Sequence, residues 1–269
     1  VTVAPYVQDV GTGRPLLLLH GWSCHGGLFG PQIEAFRATN RVIVPDLPGH
    51  GRTGRHGGAL TIEAAADAVA AVLADKGCEN VVAVGWSMGA HVAYSMIDRH
   101  GTGRLAALVV EDMTPKVLND DTWHLGLSDG RTAEQEVGIA QAMRTHWKDF
   151  APRIAERIFA TGLEPDRDLL AYTTEQIARA DPALLAPIWE SLTAQDFRTL
   201  VPEIAIPVVL AHGARSALYG PEVAQWQAER LPHGRTVSFD KSGHAPHLEE
   251  PCAFRDLLAE LLDPAPVRT

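Results

Sequence analysis

A serine stands between two glycines in Gly85-Trp86-Ser87-Met88-Gly89. The pentad follows an apolar run, Asn80–Val84, and opens a helical pattern from Met88 to Arg99. A serine on a sharp strand-to-helix turn is pushed outward on a strained backbone, and small flanking residues let the helix approach the strand. The helix N-terminus then turns main-chain N–H groups towards any negative charge that develops nearby. This is the setting of a nucleophile, Ser87. A base for it is expected on a loop late in the chain, at Gly243-His244, after the run Arg235–Phe239. His247, three residues on, is read as packing or capping the next segment. A further N–H donor is expected at His20-Gly21-Trp22. The main-chain N–H groups of Trp22 and Met88 would together form an oxyanion hole. His25, beside that loop, and Trp86, beside the serine, are candidate substrate contacts.

These residues need elements to carry them. Pro15–Leu19, Arg41–Pro45, Asn80–Val84 and Leu105–Val110 are short, uniformly apolar runs. Such runs read as buried parallel strands. Between them Ile62–Lys76, with Thr61 as N-cap, and Met88–Arg99 repeat apolar residues at helical spacing. Strand–helix alternation predicts an α/β fold with helices on both faces of a mostly parallel sheet. From about residue 115 to 202 the strand-like runs stop. Ala133–Phe150, Arg153–Phe159, Arg167–Arg179 and Pro182–Leu192 read as helices, and Trp123, Trp147 and Trp189 fall among them. Alternation resumes with Ile206–Ala211, Pro221–Leu231, Arg235–Phe239 and Cys252–Leu262. The expected organisation is a core from 1–114 and 203–269 with an inserted helical cap, 115–202, over the carboxyl edge of the sheet, where open α/β folds bind ligands.

Composition narrows the classes. The 269 residues carry a formal charge of −10 and no Lys/Arg cluster, so no nucleic-acid partner is expected. No apolar run approaches the roughly 18 residues of a membrane span. Val1–Pro5 shows no leader pattern, which makes a cytoplasmic location the expectation. Cys24, Cys78 and Cys252 are too few and too scattered for a disulfide framework or a zinc site, and read as buried thiols. The histidines lack paired metal spacing, so neither a metal nor an organic cofactor is implied.

His20-Gly21-Trp22, Asp46-Leu47-Pro48-Gly49-His50-Gly51, the Gly85–Gly89 pentad and Gly243-His244 together resemble the α/β-hydrolase superfamily over nearly the whole chain. The resemblance implies an α/β-hydrolase fold: an eight-stranded, mostly parallel sheet, a helical cap after strand six, and a nucleophile–acid–histidine triad. Most members carry the acid after strand seven. Here that loop reads Gly213-Ala214-Arg215-Ser216-Ala217-Leu218-Tyr219, with Ser216 where an aspartate is expected. A serine cannot hold an imidazolium as a carboxylate does. Asp112, after the Leu105–Val110 run, is the favoured substitute. Glu111, its neighbour, and Glu222 are the other carboxylates considered. Strand alternation sends Glu111 and Asp112 to opposite sides.

An acid after strand six resembles some lactonases and esterases, including zearalenone lactonase, and the cofactor-independent 2,4-dioxygenases of 3-hydroxy-4-quinolones. The first resemblance implies cleavage of an ester or lactone through an acyl-enzyme. The second implies that His244 and Asp112 deprotonate a quinolone, which then meets O2 and releases carbon monoxide. Those dioxygenases share the Gly21-Trp22 pair and a cap tryptophan placed as Trp147 is. They carry histidines where this chain has Met88 and Cys24. The expected partner is a small apolar or aromatic molecule, with Trp123 and Trp147 as candidate pocket walls. A non-enzymatic ligand receptor is a third class that the motifs also permit.

Overall fold

A computed structural model of the chain describes residues 4–55 and 58–263. Val1–Val3, read above for a leader, and 264–269, assigned above to the core, lie outside the described residues. The chain opens with β1 (Val7–Val10), β2 (Pro15–Leu19), α1 (Gly30–Phe36) and β3 (Arg41–Pro45). It continues with α2 (Ile62–Asp75), β4 (Val81–Trp86), α3 (Met88–His100) and β5 (Leu105–Glu111). Four helices follow: α4 (Ala133–Glu136), α5 (Ile139–Ile158), α6 (Arg167–Ala178) and α7 (Pro182–Thr193). Then come β6 (Val208–Gly213), α8 (Pro221–Ala228), β7 (Gly234–Phe239), α9 (Pro246–Glu249) and α10 (Pro251–Leu262).

The strand order is β1-β3-β2-β4-β5-β6-β7, with β1 antiparallel to β3 and every other pair parallel. All six residues of β4 are buried. Successive side chains of a strand point to opposite faces, so both faces of the sheet centre must be covered. The sheet has seven strands among the described residues, one fewer than the resemblance implied. The strand that the resemblance numbers sixth, the one followed by the helical segment, is β5 here.

From β2 the chain moves outward to β3, then crosses back to β4 on the other side. Loops leaving the carboxyl ends of β2 and β4 diverge at this reversal and open a crevice. His20-Gly21-Trp22 leaves β2 there, and Ser87 leaves β4. The helices α4–α7 lie between β5 and β6, and α5 packs on α6 and α7. The two ends of this segment are tied together, with the Phe197 N–H donating to the Pro115 carbonyl at 2.9 Å and an isolated bridge joining Lys116 to Asp196.

Two sequence expectations change. The break in the first helix falls at Gly138, whose φ of 86° suits glycine, and not near Pro152. α5 runs through Pro152, with a non-helical residue upstream at His146. Cys252 is exposed on α10, whereas Cys24 and Cys78 are buried as expected.

His91 is fully buried in α3 and its Nε2 donates to the Thr114 carbonyl at 2.7 Å. Burial pushes its pKa down to about 4. The native ring therefore stays neutral where the unfolded chain, near 6.5, takes up a proton. The stability this lends is complete above pH 6.5 and drains away as pH falls from 6.5 towards 4. In urea unfolding between pH 6.5 and 4.5, His91→Gln should flatten the fall of stability by up to about 1.4 kcal/mol per pH unit. An unchanged slope would show that the ring is charged in the native state.

Candidate active site

Ser87 sits between β4 and α3 at φ 53°, ψ −121°, a conformation costly for a residue with a Cβ. Its N–H donates to the Glu111 carbonyl at 3.0 Å, and its carbonyl accepts from the Ala90 N–H at 2.8 Å. The glycines answer to space. A Cβ on Gly85 would lie 2.5 Å from Ala90 Cα, and one on Gly89 would lie 2.2 Å from the Leu19 carbonyl oxygen. Helix α3 thus lies against β2 and β4 only because both positions lack side chains.

The loop after β2 is held by two buried histidines. His20 Nε2 accepts from the Leu47 N–H at 2.9 Å, so Nδ1 carries the proton and donates to the Gly21 carbonyl at 2.9 Å. The Cys24 N–H donates to the same carbonyl at 3.2 Å. In a planar trans peptide the Gly21 carbonyl and Trp22 N–H point oppositely, so the N–H is turned away from His20. The Ser23 N–H donates to His50 Nε2 at 3.2 Å. Burial pushes the pKa of His20 and of His50 down to about 3, which keeps both rings neutral. A Cβ on Gly21 would lie 3.3 Å from Ser87 Cβ, so the loop rests against the serine. Among the described residues neither the Trp22 nor the Met88 N–H has an acceptor. The Trp22 indole donates to the Leu185 carbonyl on α7 at 3.0 Å.

His244 and Asp112, 132 residues apart, meet through Nδ1 and Oδ2 at 2.7 Å, and both are buried. Asp112 Oδ2 also accepts from the Ser216 hydroxyl at 2.7 Å, and Oδ1 accepts from the Gly213 N–H at 3.3 Å. Ser216 thus stands where a carboxylate was expected and donates to the carboxylate that is present. Glu111 faces the other way, to His247, with Oε1 and Nδ1 2.8 Å apart. Glu222 lies on α8. The His244 N–H donates to the Ile158 carbonyl at 2.8 Å, and its carbonyl accepts from the Trp86 indole at 2.7 Å. Glu249 joins the neighbouring loops, accepting from the Gly243 N–H at 2.6 Å and from the Ala160 N–H at 2.8 Å.

Ser87, His244, Trp22 and Trp86 line one cavity of about 400 Å³. The other walls are mostly apolar, among them Met113, Phe150, Ile154, Trp189 and Tyr219. Three arginines, Arg131, Arg153 and Arg157, also reach it, and among the described residues no carboxylate lines it. Arg131 pairs with Asp129 and Glu136, and Arg157 lies 3.7 Å from Asp129. Arg153 has no carboxylate partner among the described residues.

Three candidate pocket residues lie elsewhere. His25 faces an adjoining cleft of about 630 Å³, where its ring meets Gln176 at 3.1 Å. Its Nδ1 caps the short turn Gly26–Phe29 by accepting from the Gly27 N–H, and it is not among the residues lining the cavity that holds Ser87. Trp123 packs edge-on against Trp226 at 5.0 Å and donates to the Lys116 carbonyl. Trp147 is buried behind Trp22, 5.8 Å between ring centroids, and donates to the Ile177 carbonyl. Both indoles are turned by their N–H bonds towards main chain outside the cavity. The wall residues not foreseen include Trp189 and the arginine pair at 153 and 157, whose i,i+4 spacing on one helix was the available signal. Cys24 borders both cavity and cleft, and burial pushes its thiol up to about 12, so it stays protonated. Among the described residues no group of three or more His, Cys, Asp or Glu side chains is placed to hold a metal ion.

The fold and this constellation define a class. Residues 16–257 match the model of the alpha/beta hydrolase family. The chain belongs to that family and is an enzyme of the α/β-hydrolase fold. A pimeloyl-[acyl-carrier protein] methyl ester esterase from Chromobacterium violaceum is 30% identical over 259 residues, covering 96% of this chain and 98% of the relative. Its counterpart from Aromatoleum aromaticum is 33% identical over 249 residues, covering 88% and 94%. An esterase from Exiguobacterium antarcticum superposes with a TM-score of 0.88 at 22% identity, covering 96% of this chain and 94% of that one. The enol-lactonase from Burkholderia xenovorans LB400 does so with a TM-score of 0.81 at 20% identity, covering 97% and 99%. At such identities these two structures speak for the fold alone. No helix of the described residues is long and apolar enough to cross a membrane.

The Ser216–Asp112 bond is testable without a substrate. A hydrogen bond to a buried carboxylate contributes about 1.5–3 kcal/mol. Ser216→Ala should lose stability in that range at pH 7 in urea unfolding, and Ser216→Thr should lose less. Equal stability of Ser216→Ala and the wild type would mean that the hydroxyl does not serve Asp112.

Proposed function

We propose that the protein hydrolyses a carboxylic ester through an acyl-enzyme on Ser87. The observation that carries this is the 2.7 Å His244–Asp112 bond in a site that also holds a strained serine. With Nδ1 donating to Asp112, Nε2 of His244 is the nitrogen left to take the Ser87 proton. Ser87 Oγ adds to the ester carbonyl, and the oxyanion is bound by the Trp22 and Met88 N–H groups. His244 returns the proton to the leaving alkoxide, which departs as the alcohol. Water, activated by the same ring, then releases the acid and restores the serine. Asp112 orients the ring and stabilises its charged form. The segment 115–202 acts as the cap that walls the cavity, and the site of action is cytoplasmic.

The substrate class follows from the walls and the relatives. Their names specify the methyl ester of a pimeloyl group on acyl-carrier protein, and we assign this chain an ester of a similar linear acyl chain or a lactone. Apolar walls suit the chain, and the arginines suit a negative charge carried by the same molecule. Quinolone oxygenation is disfavoured by Met88 and Cys24, which stand where those dioxygenases carry histidines.

Ser87→Ala should lower ester turnover by at least about 10⁴-fold and Asp112→Asn by about 10³–10⁴-fold, with the fold intact by circular dichroism. A fluorophosphonate should label Ser87 one-to-one. Undiminished turnover in Ser87→Ala, or turnover of 3-hydroxy-4-quinolones that needs air and fails under argon, would overturn the assignment. Arg153→Ala should raise KM about 5-fold for a dicarboxylic acid monoester while leaving the matching uncharged diester unaffected. Equal effects on both esters would remove Arg153 from charge recognition.

A further inference from the structure

Glu111 and His247 form a second acid–imidazole pair beside the first, and the mechanism above does not use it. Both side chains are fully buried. Glu111 Oε1 accepts from the His247 ring Nδ1 at 2.8 Å and from the His247 main-chain N–H at 2.9 Å. Glu111 Oε2 and His247 Nε2 have no partner among the described residues. Burying such a pair is costly, and apolar residues of similar volume would often serve stability as well or better.

The surroundings indicate a role for the pair. His247 lies on α9, which begins two residues after His244. The His247 ring packs against Phe29 at 4.5 Å and Trp86 at 4.7 Å between centroids. Trp86 in turn donates to the His244 carbonyl at 2.7 Å. The Gln32 side chain donates to the His247 carbonyl at 2.8 Å. At its other end Glu111 touches the serine, because its main-chain carbonyl accepts the Ser87 N–H. One residue of β5 thus contacts both the elbow and the segment that carries the base, while Asp112 takes the base itself.

We propose that Glu111 is a positioning residue that acts through His247 to hold the His244 segment in register with Ser87 and Asp112. The proposal rests on the reading of His244 as the base. Positioning can be read without turnover, through the low-field proton resonance of the His244 Nδ1–H···Asp112 bond. Misplacement of a catalytic group by about 1 Å can cost about 10²-fold, so Glu111→Ala should lower kcat by that order with KM little changed. His247→Phe keeps the ring packing but loses the ring bond, and should lower kcat in the same direction. The low-field resonance should shift or broaden in both. Glu111→Gln keeps an acceptor for the His247 N–H groups and should restore most of kcat and the resonance. If Glu111→Ala does not fold, His247→Phe decides alone. The proposal is overturned if a folded Glu111→Ala or His247→Phe variant keeps the wild-type kcat and resonance, or if Glu111→Gln is as impaired as Glu111→Ala. A wild type that shows the resonance yet turns over no ester would instead defeat the esterase reading and leave the positioning role to be judged by the resonance.

Discussion

The carboxyl end of β5 is the constraint on which the rest of the site depends. Its register with β4 sets Trp86 opposite Glu111, so the turn that carries Ser87 and the turn that carries Asp112 leave the sheet side by side. Glu111 is the last residue of the strand and Asp112 the first beyond it, and the two consecutive carboxylates are divided between different partners. Asp112 goes to His244 and Glu111 to His247, two histidines on one short stretch of the last loop. The Asp112 backbone is itself unusual, with φ 45°, and its N–H is held by the Ala211 carbonyl on β6. Its neighbours over-determine that conformation, as a strained residue requires.

Much of this was legible in the sequence because the governing forces are local. The runs at Pro15–Leu19 and Arg41–Pro45 are strands with those same ends, since a strand buried on both faces leaves an uninterrupted apolar signature. The elbow was legible because glycine at 85 and 89 answers to backbone approach, which allows few substitutes. The resemblance to the α/β-hydrolases, with no carboxylate in the 213–219 loop, points to Asp112, whose carboxylate lies against His244.

What was not legible depends on contacts between distant parts of the chain. β1, Val-Gln-Asp-Val, is a half-exposed edge strand without an apolar run and gave no signal. α1 hides in a segment with Gly26, Gly27, Gly30 and Pro31, residues that read as a loop. The tryptophans could be placed in the helical segment but not aimed. Trp189 faces the cavity while Trp123 and Trp147 do not: the Trp189 indole donates to the Glu136 carboxylate, and the other two donate to the Lys116 and Ile177 carbonyls. Ser216 reads in the sequence as a missing acid, whereas its chemistry is that of a donor to the acid that follows β5.

The covering helices bear on the chemistry in one more way. The end of α5 and the residue after Phe159 are bonded to the His244 loop, through the Ile158 carbonyl to His244 and through Glu249 from Ala160 to Gly243. A rigid upward swing of these helices would draw on the same few peptides that hold the imidazole. The helical segment and the His244 loop are thus coupled through these few hydrogen bonds, so a displacement of one is felt at the other.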